Sequence, residues 1–176
     1  MVSSRTRSLL IAATVLSGLL AGGNVDRAIV AMPAWAQVGA PAWAEFSRHA
    51  DLGNGLVLYP LEAIGAFLLI ALTAVSLYLD RAAKAHIMLP LYGAVVLAGT
   101  GLLCTLKAAP IMLSVGHLSD PASLRQAFDG FRFWGDIRGA AKVLTFFATV
   151  WALAVVFGLR YRWTDERHSA VRHGGE

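Results

Sequence analysis

Glu62 is the side chain best placed to do chemistry, being the only charge between Asp51 and Asp80 in an otherwise apolar run. A carboxylate set a turn or two inside such a run is expensive unless it is paired, protonated or turned toward a polar cavity. Its position makes it a candidate proton carrier, or else half of a structural ion pair. Lys107, at the end of the next apolar run, is a plausible partner, although its long stem can equally snorkel to the surface.

A second concentration is Phe131-Arg132-Phe133-Trp134-Gly135-Asp136-Ile137-Arg138, followed by Lys142. Trp134, Arg138 and Lys142 recur every fourth residue and share one face if the helix there begins early. Two cations on one face of a membrane helix call for an acceptor: Glu62, Asp136, a lipid headgroup or an anionic substrate. In the plainer alternative, Trp134 and Lys142 only mark the membrane boundary.

The third concentration starts at Asn24, Asp26 and Arg27, passes Pro33, Trp35, Pro41 and Trp43, and ends in Glu45-Phe46-Ser47-Arg48-His49-Ala50-Asp51. The spacing predicts a short amphipathic helix over 42–51 near the membrane surface. Trp43 and Phe46 would face apolar atoms and Arg48 water or headgroups. Glu45 and His49 then lie one turn apart, as do Arg48 and Asp51. His49 is a candidate base, though a lone histidine on such a helix is often surface decoration. Two ligands make a weak metal site, and His117 is the only other histidine on that side, so neither metal nor cofactor is expected. Haem lacks facing axial ligands, because His86 lies toward the opposite end from His49 and His117.

These residues are set among long apolar helices. Of the 176 residues, 57% are apolar and only 15% charged, against roughly 25% charged in an average soluble domain. A soluble chain of this size cannot bury so much apolar side chain. Cys104, the single cysteine, excludes an intrachain disulfide and a thiolate-rich metal site. A net charge of +4 gives no reason to expect a nucleic-acid partner.

Runs 8–25, 52–79, 85–106 and 143–159 are each long enough, with neighbouring residues, to cross a hydrocarbon core about 30 Å thick. Backbone groups in lipid must be paired within the segment, which selects helix. The expected fold is all-α: an integral membrane four-helix up-and-down bundle with a short interfacial helix in the first outer loop. Helices are expected at about 8–30, 53–79, 85–110 and 135–160, with long connections over 26–51 and 108–137. The transmembrane domain spans 1–160, and 161–176 is a polar tail. Arg5 and Arg7 ahead of Ser8–Gly23 also suit a signal peptide, but the run is long for one and Ala34-Trp35-Ala36 lies far from it. A retained helix is the preferred reading. Gly18 and Gly22 have the spacing that lets two membrane helices approach closely, and self-association of the chain stays open.

Eight of the basic residues fall on the face holding both termini and the 80–84 turn: Arg5, Arg7, Arg81, Lys84, Arg160, Arg162, Arg167 and Arg172. Their concentration in short tails and a tight turn predicts that this face is cytoplasmic, in a multi-pass protein of the plasma (inner) membrane. Membrane lipids are then the obligatory partners.

Three stretches carry a likeness to a known group: Gly22-Gly23-Asn24 with the loop to Pro33, Lys107-Ala108-Ala109-Pro110-Ile111, and Phe133-Trp134-Gly135-Asp136-Ile137-Arg138. On these the chain resembles the anthrone oxygenase-like family of small four-helix membrane proteins over roughly residues 10–160. The resemblance implies a four-helix membrane fold and, for some relatives, cofactor-free oxygenation of a polycyclic anthrone to the quinone. Where such relatives carry a histidine just before the last arginine, this chain has Asp136.

Two functions follow as expectations. In the first, an outer pocket lined by Asn24, Asp26, Glu62, Lys107, Trp134 and Arg138 takes an anthrone-like or phenolic apolar molecule from lipid. Glu62 or His49 removes its proton, and Arg138 stabilises the oxyanion. In the second, the protein is a non-catalytic accessory or lipid-binding protein whose charges hold the bundle or a partner. Convergence of Asn24, Glu62 and Arg138 on a roomy cavity favours the first. Direct pairing of Glu62 with Arg138 or Lys107 favours the second.

Overall fold

A computed structural model describes residues 2–80 and 85–158. Arg81, Lys84, the basic residues from Arg160 onward, the 161–176 tail and the His86 side chain lie outside the described residues. Among these, four helical columns are long and apolar enough to cross a membrane.

The first column is α1 (Ser4–Asp26), a widened π-helical turn at Arg27–Ala31, and α2 (Met32–Val38). It starts where the Ser3 hydroxyl accepts from the Thr6 N–H, an N-cap that satisfies an orphan donor. The chain reverses at Gly39, whose φ of 100° suits a residue without Cβ. The second column is α3 (Ala40–His49), a second π-helical turn at Ala50–Asn54, and α4 (Gly55–Leu79). The third is α5 (Ala85–Val115), and the fourth is α6 (Pro121–Val156), which starts on the side-chain cap of Asp120.

Each column packs beside the next in sequence, and α1 closes the ring against α6. The bundle is therefore up-and-down. A hydrogen bond from the Ser3 N–H to Asp80 Oδ2 joins the start of α1 to the end of α4 at the terminal end. At the far end Arg48 of α3 donates to the carbonyls of Val115 and Leu118, covering the exit of α5.

Small residues share the centre with Leu10, Ile70, Leu77 and Leu91, and many large residues face outward. Ala13, Ala74, Ala94, Ala152, Thr73, Thr149 and Ser17 are buried, whereas Leu19, Leu61, Leu72, Val96, Leu103 and Phe147 are exposed. A soluble bundle has the reverse pattern. Small interior residues let backbones approach while the apolar exterior meets lipid. Gly18 follows this logic, because a Cβ there would come within 3.0 Å of Phe146 on α6. Gly22 does not; it faces open space, so only half of the expected glycine pair lies against a helix.

The helices outrun expectation at the end holding α2 and α3. Helix α6 begins at Pro121 rather than near 135, α5 runs through Pro110 to Val115, and the supposed 26–51 loop is helical on both sides of Gly39. The 31 residues of α5 and 36 of α6 exceed the span of about 20 residues that a bilayer needs. Their extra turns form a second core with α2 and α3: Met32, Trp43, Ala44, Met112, Val115, Leu124, Phe128 and Phe131. Pro33 and Pro41 fall in the first turns of α2 and α3, where a missing N–H costs nothing.

The predicted short helix is present, with Trp43 and Phe46 against apolar rings as expected, and those rings belong to α6 and α2. Trp43 is fully buried, edge-on to Phe128 with ring centroids 5.2 Å apart, and Phe46 stacks on Trp35 at 4.9 Å. Arg48, expected to face water or headgroups, serves the carbonyls at the end of α5 instead.

Candidate functional site

Glu62 is followed on α4 by uncharged residues through Leu79 and Lys142 on α6 by uncharged residues through Val156, about 25 Å and about 21 Å of helix. Both lengths approach the thickness of the hydrocarbon core, and both residues lie toward the α2–α3 end of their helices.

A cavity of about 520 Å³ opens at this level, within the range of small-molecule pockets. Asn24, Asp26 and Arg27 line it from α1 and the first π turn, Asp51 from the second, Glu62 from α4, and Arg138 and Lys142 from α6. Leu20, Leu56, Ala63 and Met112 supply apolar wall, and Trp35 and Phe46 contribute from α2 and α3. Leu19, Leu56 and Leu113 also line it and are exposed.

Local sequence explains several of these placements. Gly139 brings α6 close to α1, since a Cβ there would be 3.7 Å from that of Asn24. Asn24 itself donates to the Leu20 carbonyl at 2.8 Å, which orients its amide along α1. Pro60, two residues before Glu62, lacks the N–H that would close the helix there. Gly55 is required at the second π turn, where a Cβ would lie 2.6 Å from Tyr59 Cε2 and 2.8 Å from the Ala50 carbonyl.

Arg27 and Asp51 form the one strong ion pair of the site. Nη2 of Arg27 lies 2.7 Å from Oδ2 of Asp51, whose side chain is 4% exposed. The Arg27 guanidinium also lies 5.0 Å from the Phe131 ring centre, and that of Arg138 lies 5.7 Å from the same ring. Phe131 thus serves two cations, a contact that offsets part of their desolvation.

Arg138 has no such carboxylate. Its Nε is buried without a hydrogen-bond partner, and among the described residues no ion pair within 4.0 Å reaches Arg138, Lys142 or Glu62. The expected alternatives of Glu62 paired with Arg138 or with Lys107 are therefore absent from the ion pairs observed.

The expected site residues divide in two. Asn24, Asp26, Glu62 and Arg138 share the cavity, while His49, Lys107 and Trp134 do not line it. The His49 side chain is 81% exposed and its Nε2 is 3.3 Å from Oε1 of Glu45, as the one-turn spacing predicts. Lys107 is exposed on α5. Trp134, partly buried, packs against the α2–α3 core and edge-on to Phe133, so of the fourfold series only Arg138 and Lys142 face the cavity. The Arg48–Asp51 spacing is unused, because Asp51 faces Arg27 and Arg48 bonds to Glu45 at 2.9 Å. Sequence reasoning missed the Arg27–Asp51 pair, whose partners are 24 residues apart and carry no local signal. It also missed Phe131, although Leu124, Phe128 and Phe131 carry a helical apolar spacing. Among the described residues no three His, Cys, Asp or Glu side chains gather to hold a metal ion.

No family model, curated protein or solved structure matches the chain. The structure establishes a small four-helix, membrane-spanning bundle.

Proposed function

We propose that this membrane protein binds an apolar small molecule bearing an acidic hydroxyl or activated C–H, and that Glu62 removes the proton. The observation that carries the reading is the convergence of Asn24, Glu62 and Arg138 on one cavity without mutual pairing. A carboxylate and a guanidinium held apart across a cavity suit a base and an oxyanion stabiliser, whereas a structural pair would be in contact. Exposed apolar lining at Leu19, Leu56 and Leu113 suits entry from lipid.

The reaction class consistent with this chemistry is cofactor-independent oxygenation of an anthrone-like or phenolic substrate. The carbanion left by Glu62 reacts with dioxygen; one oxygen becomes the new carbonyl and the other leaves as water. His49 enters only if its exposed ring swings toward the cavity. The protein then resides in the plasma (inner) membrane with both termini cytoplasmic. A second reading, a non-catalytic accessory or lipid-binding protein, draws on the Arg27–Asp51 clasp, which holds the bundle together without chemistry.

Replacing Glu62 with Gln keeps its size and removes the titrating charge. With the protein in detergent and an anthrone as substrate, loss of roughly 10²-fold or more in turnover is expected if Glu62 is the base. Unchanged turnover in a folded Glu62→Gln protein removes Glu62 from the mechanism. A polycyclic phenol found by mass spectrometry of the extracted protein supports the enzyme reading, and bulk phospholipid alone favours the accessory one.

A further inference from the structure

Arginine is charged at every accessible pH and cannot escape an apolar setting by losing its proton. Arg138 is such a group in the wall of the cavity, with its Nε buried and unpartnered. Asp51, a carboxylate lining the same cavity, is committed, because Arg27 holds it at 2.7 Å. Phe131 is shared between the two guanidinium groups, at 5.0 and 5.7 Å. Lys142, one turn along α6, adds a second cation to the same wall and repels the first. Glu62 can balance one of the two, and it contacts neither within 4.0 Å. Asp26 also lines the cavity, so its carboxylates and cations are equal in number, but no carboxylate lies within 4.0 Å of Arg138 or Lys142.

We infer that Arg138 and Lys142 form a seat for a single oxyanion head group carried by an otherwise apolar ligand. Planar guanidinium geometry matches a carboxylate or phenolate oxygen, and the walls formed by Leu20, Leu56 and Met112 take the apolar body. The chemistry is shared by two sources, a single-chain lipid carboxylate and a deprotonated aromatic hydroxyl. This inference rests on the cavity being a ligand pocket and does not require Glu62 to be a base.

The test uses the full chain in detergent with anthracene carboxylate as a fluorescent probe and anthracene carboxamide as its neutral counterpart. The wild type should bind the carboxylate about tenfold or more tightly than the amide, as a charge-assisted contact implies. Arg138→Gln should erase that preference and leave amide binding in place, while Arg138→Lys should keep part of it. If Arg138→Gln does not fold, Lys142→Gln should show the same loss in weaker form. Glu62→Gln should retain or strengthen the preference by removing a competing anion, so failure of the base reading and failure of the oxyanion seat are separable. Displacement of the probe by palmitate alone assigns the seat to a single-chain lipid. Displacement by pentachlorophenolate alone assigns it to an aromatic oxyanion, and either result supports an oxyanion seat. Equal binding of carboxylate and amide, or a preference that survives Arg138→Gln and Lys142→Gln, overturns it.

Discussion

Arg27 and Asp51 close on each other at 2.7 Å, each from within one of the two π-helical turns. A π turn admits an extra residue and redirects the side chains beyond it. Here the two turns face across the cavity, and the ion pair clasps the first helical column to the second. The pair also occupies Asp51, which forms no ion pair with Arg138 within 4.0 Å.

Removing one partner of this pair leaves the other charge without compensation. Asp51→Asn or Arg27→Gln should destabilise the protein by about 3 kcal/mol, whereas a double replacement by Leu and Met should cost much less. Thermal unfolding in detergent would measure both. Additive losses in the double variant would show that the two residues act separately.

Gly55 allows the second π turn to close. Gly55→Ala places a methyl group 2.6 Å from Tyr59 Cε2 and 2.8 Å from the Ala50 carbonyl, so backbone must move, at a cost of about 1–3 kcal/mol. Gly22→Ala meets nothing within 4 Å and should be neutral or stabilising by about 0.5–1 kcal/mol through helix propensity. A Gly22 variant as damaging as the Gly55 variant would contradict this packing.

Asp80 accepts hydrogen bonds from the Thr6 hydroxyl at 2.6 Å and the Ser3 N–H at 2.9 Å. These hold its carboxyl below the ordinary value of 3.8, the Thr6 bond contributing most. A depressed carboxylate stabilises the fold fully above its unfolded value, and the contribution fades as pH falls through the folded value. Stability measured downward from pH 5 should therefore drop less steeply in Asp80→Asn than in wild type. Identical acid limbs would remove Asp80 from this linkage.

Trp43 anchors the core that α2 and α3 form with α5 and α6. It is fully buried between Phe128 and Phe131, at centroid distances of 5.2 and 5.9 Å. Trp43→Ala should cost about 3–5 kcal/mol and loosen the α2–α3 cap over the cavity. Limited proteolysis at the Gly39 turn would report the loosening, and an unchanged cleavage rate would count against it.

Orientation is open to direct measurement because the only cysteine, Cys104, is buried. With both termini cytoplasmic, a maleimide that cannot cross membranes should label Ser119→Cys in intact cells. Labelling only after permeabilisation would invert the topology.

The sequence by itself determined that this chain is a helical membrane bundle. Uninterrupted apolar runs are local properties, and in lipid the backbone has no alternative but to pair within each run. Glu62 and Arg138 were legible for the same reason, each being a charge where charge is costly. The extent of the helices was less so. Asp120, Arg125, Asp129 and Arg132 lower the hydropathy of 120–135, and the Asp120-Pro121 start and the Leu124–Phe128–Phe131 spacing were outweighed by those charges. Only the tertiary structure decided which charges meet. Whether Asp51 faces Arg27 or Arg48, and whether His49 enters the cavity, depends on the rotation of one helix relative to another. Two widened turns and a glycine kink at Gly53 bear on that rotation, and it enters no single run of residues. Close packing of α1 on α6 at Gly18 and Gly139 accompanies an Arg138 that lines the cavity with no carboxylate of the described residues within 4.0 Å.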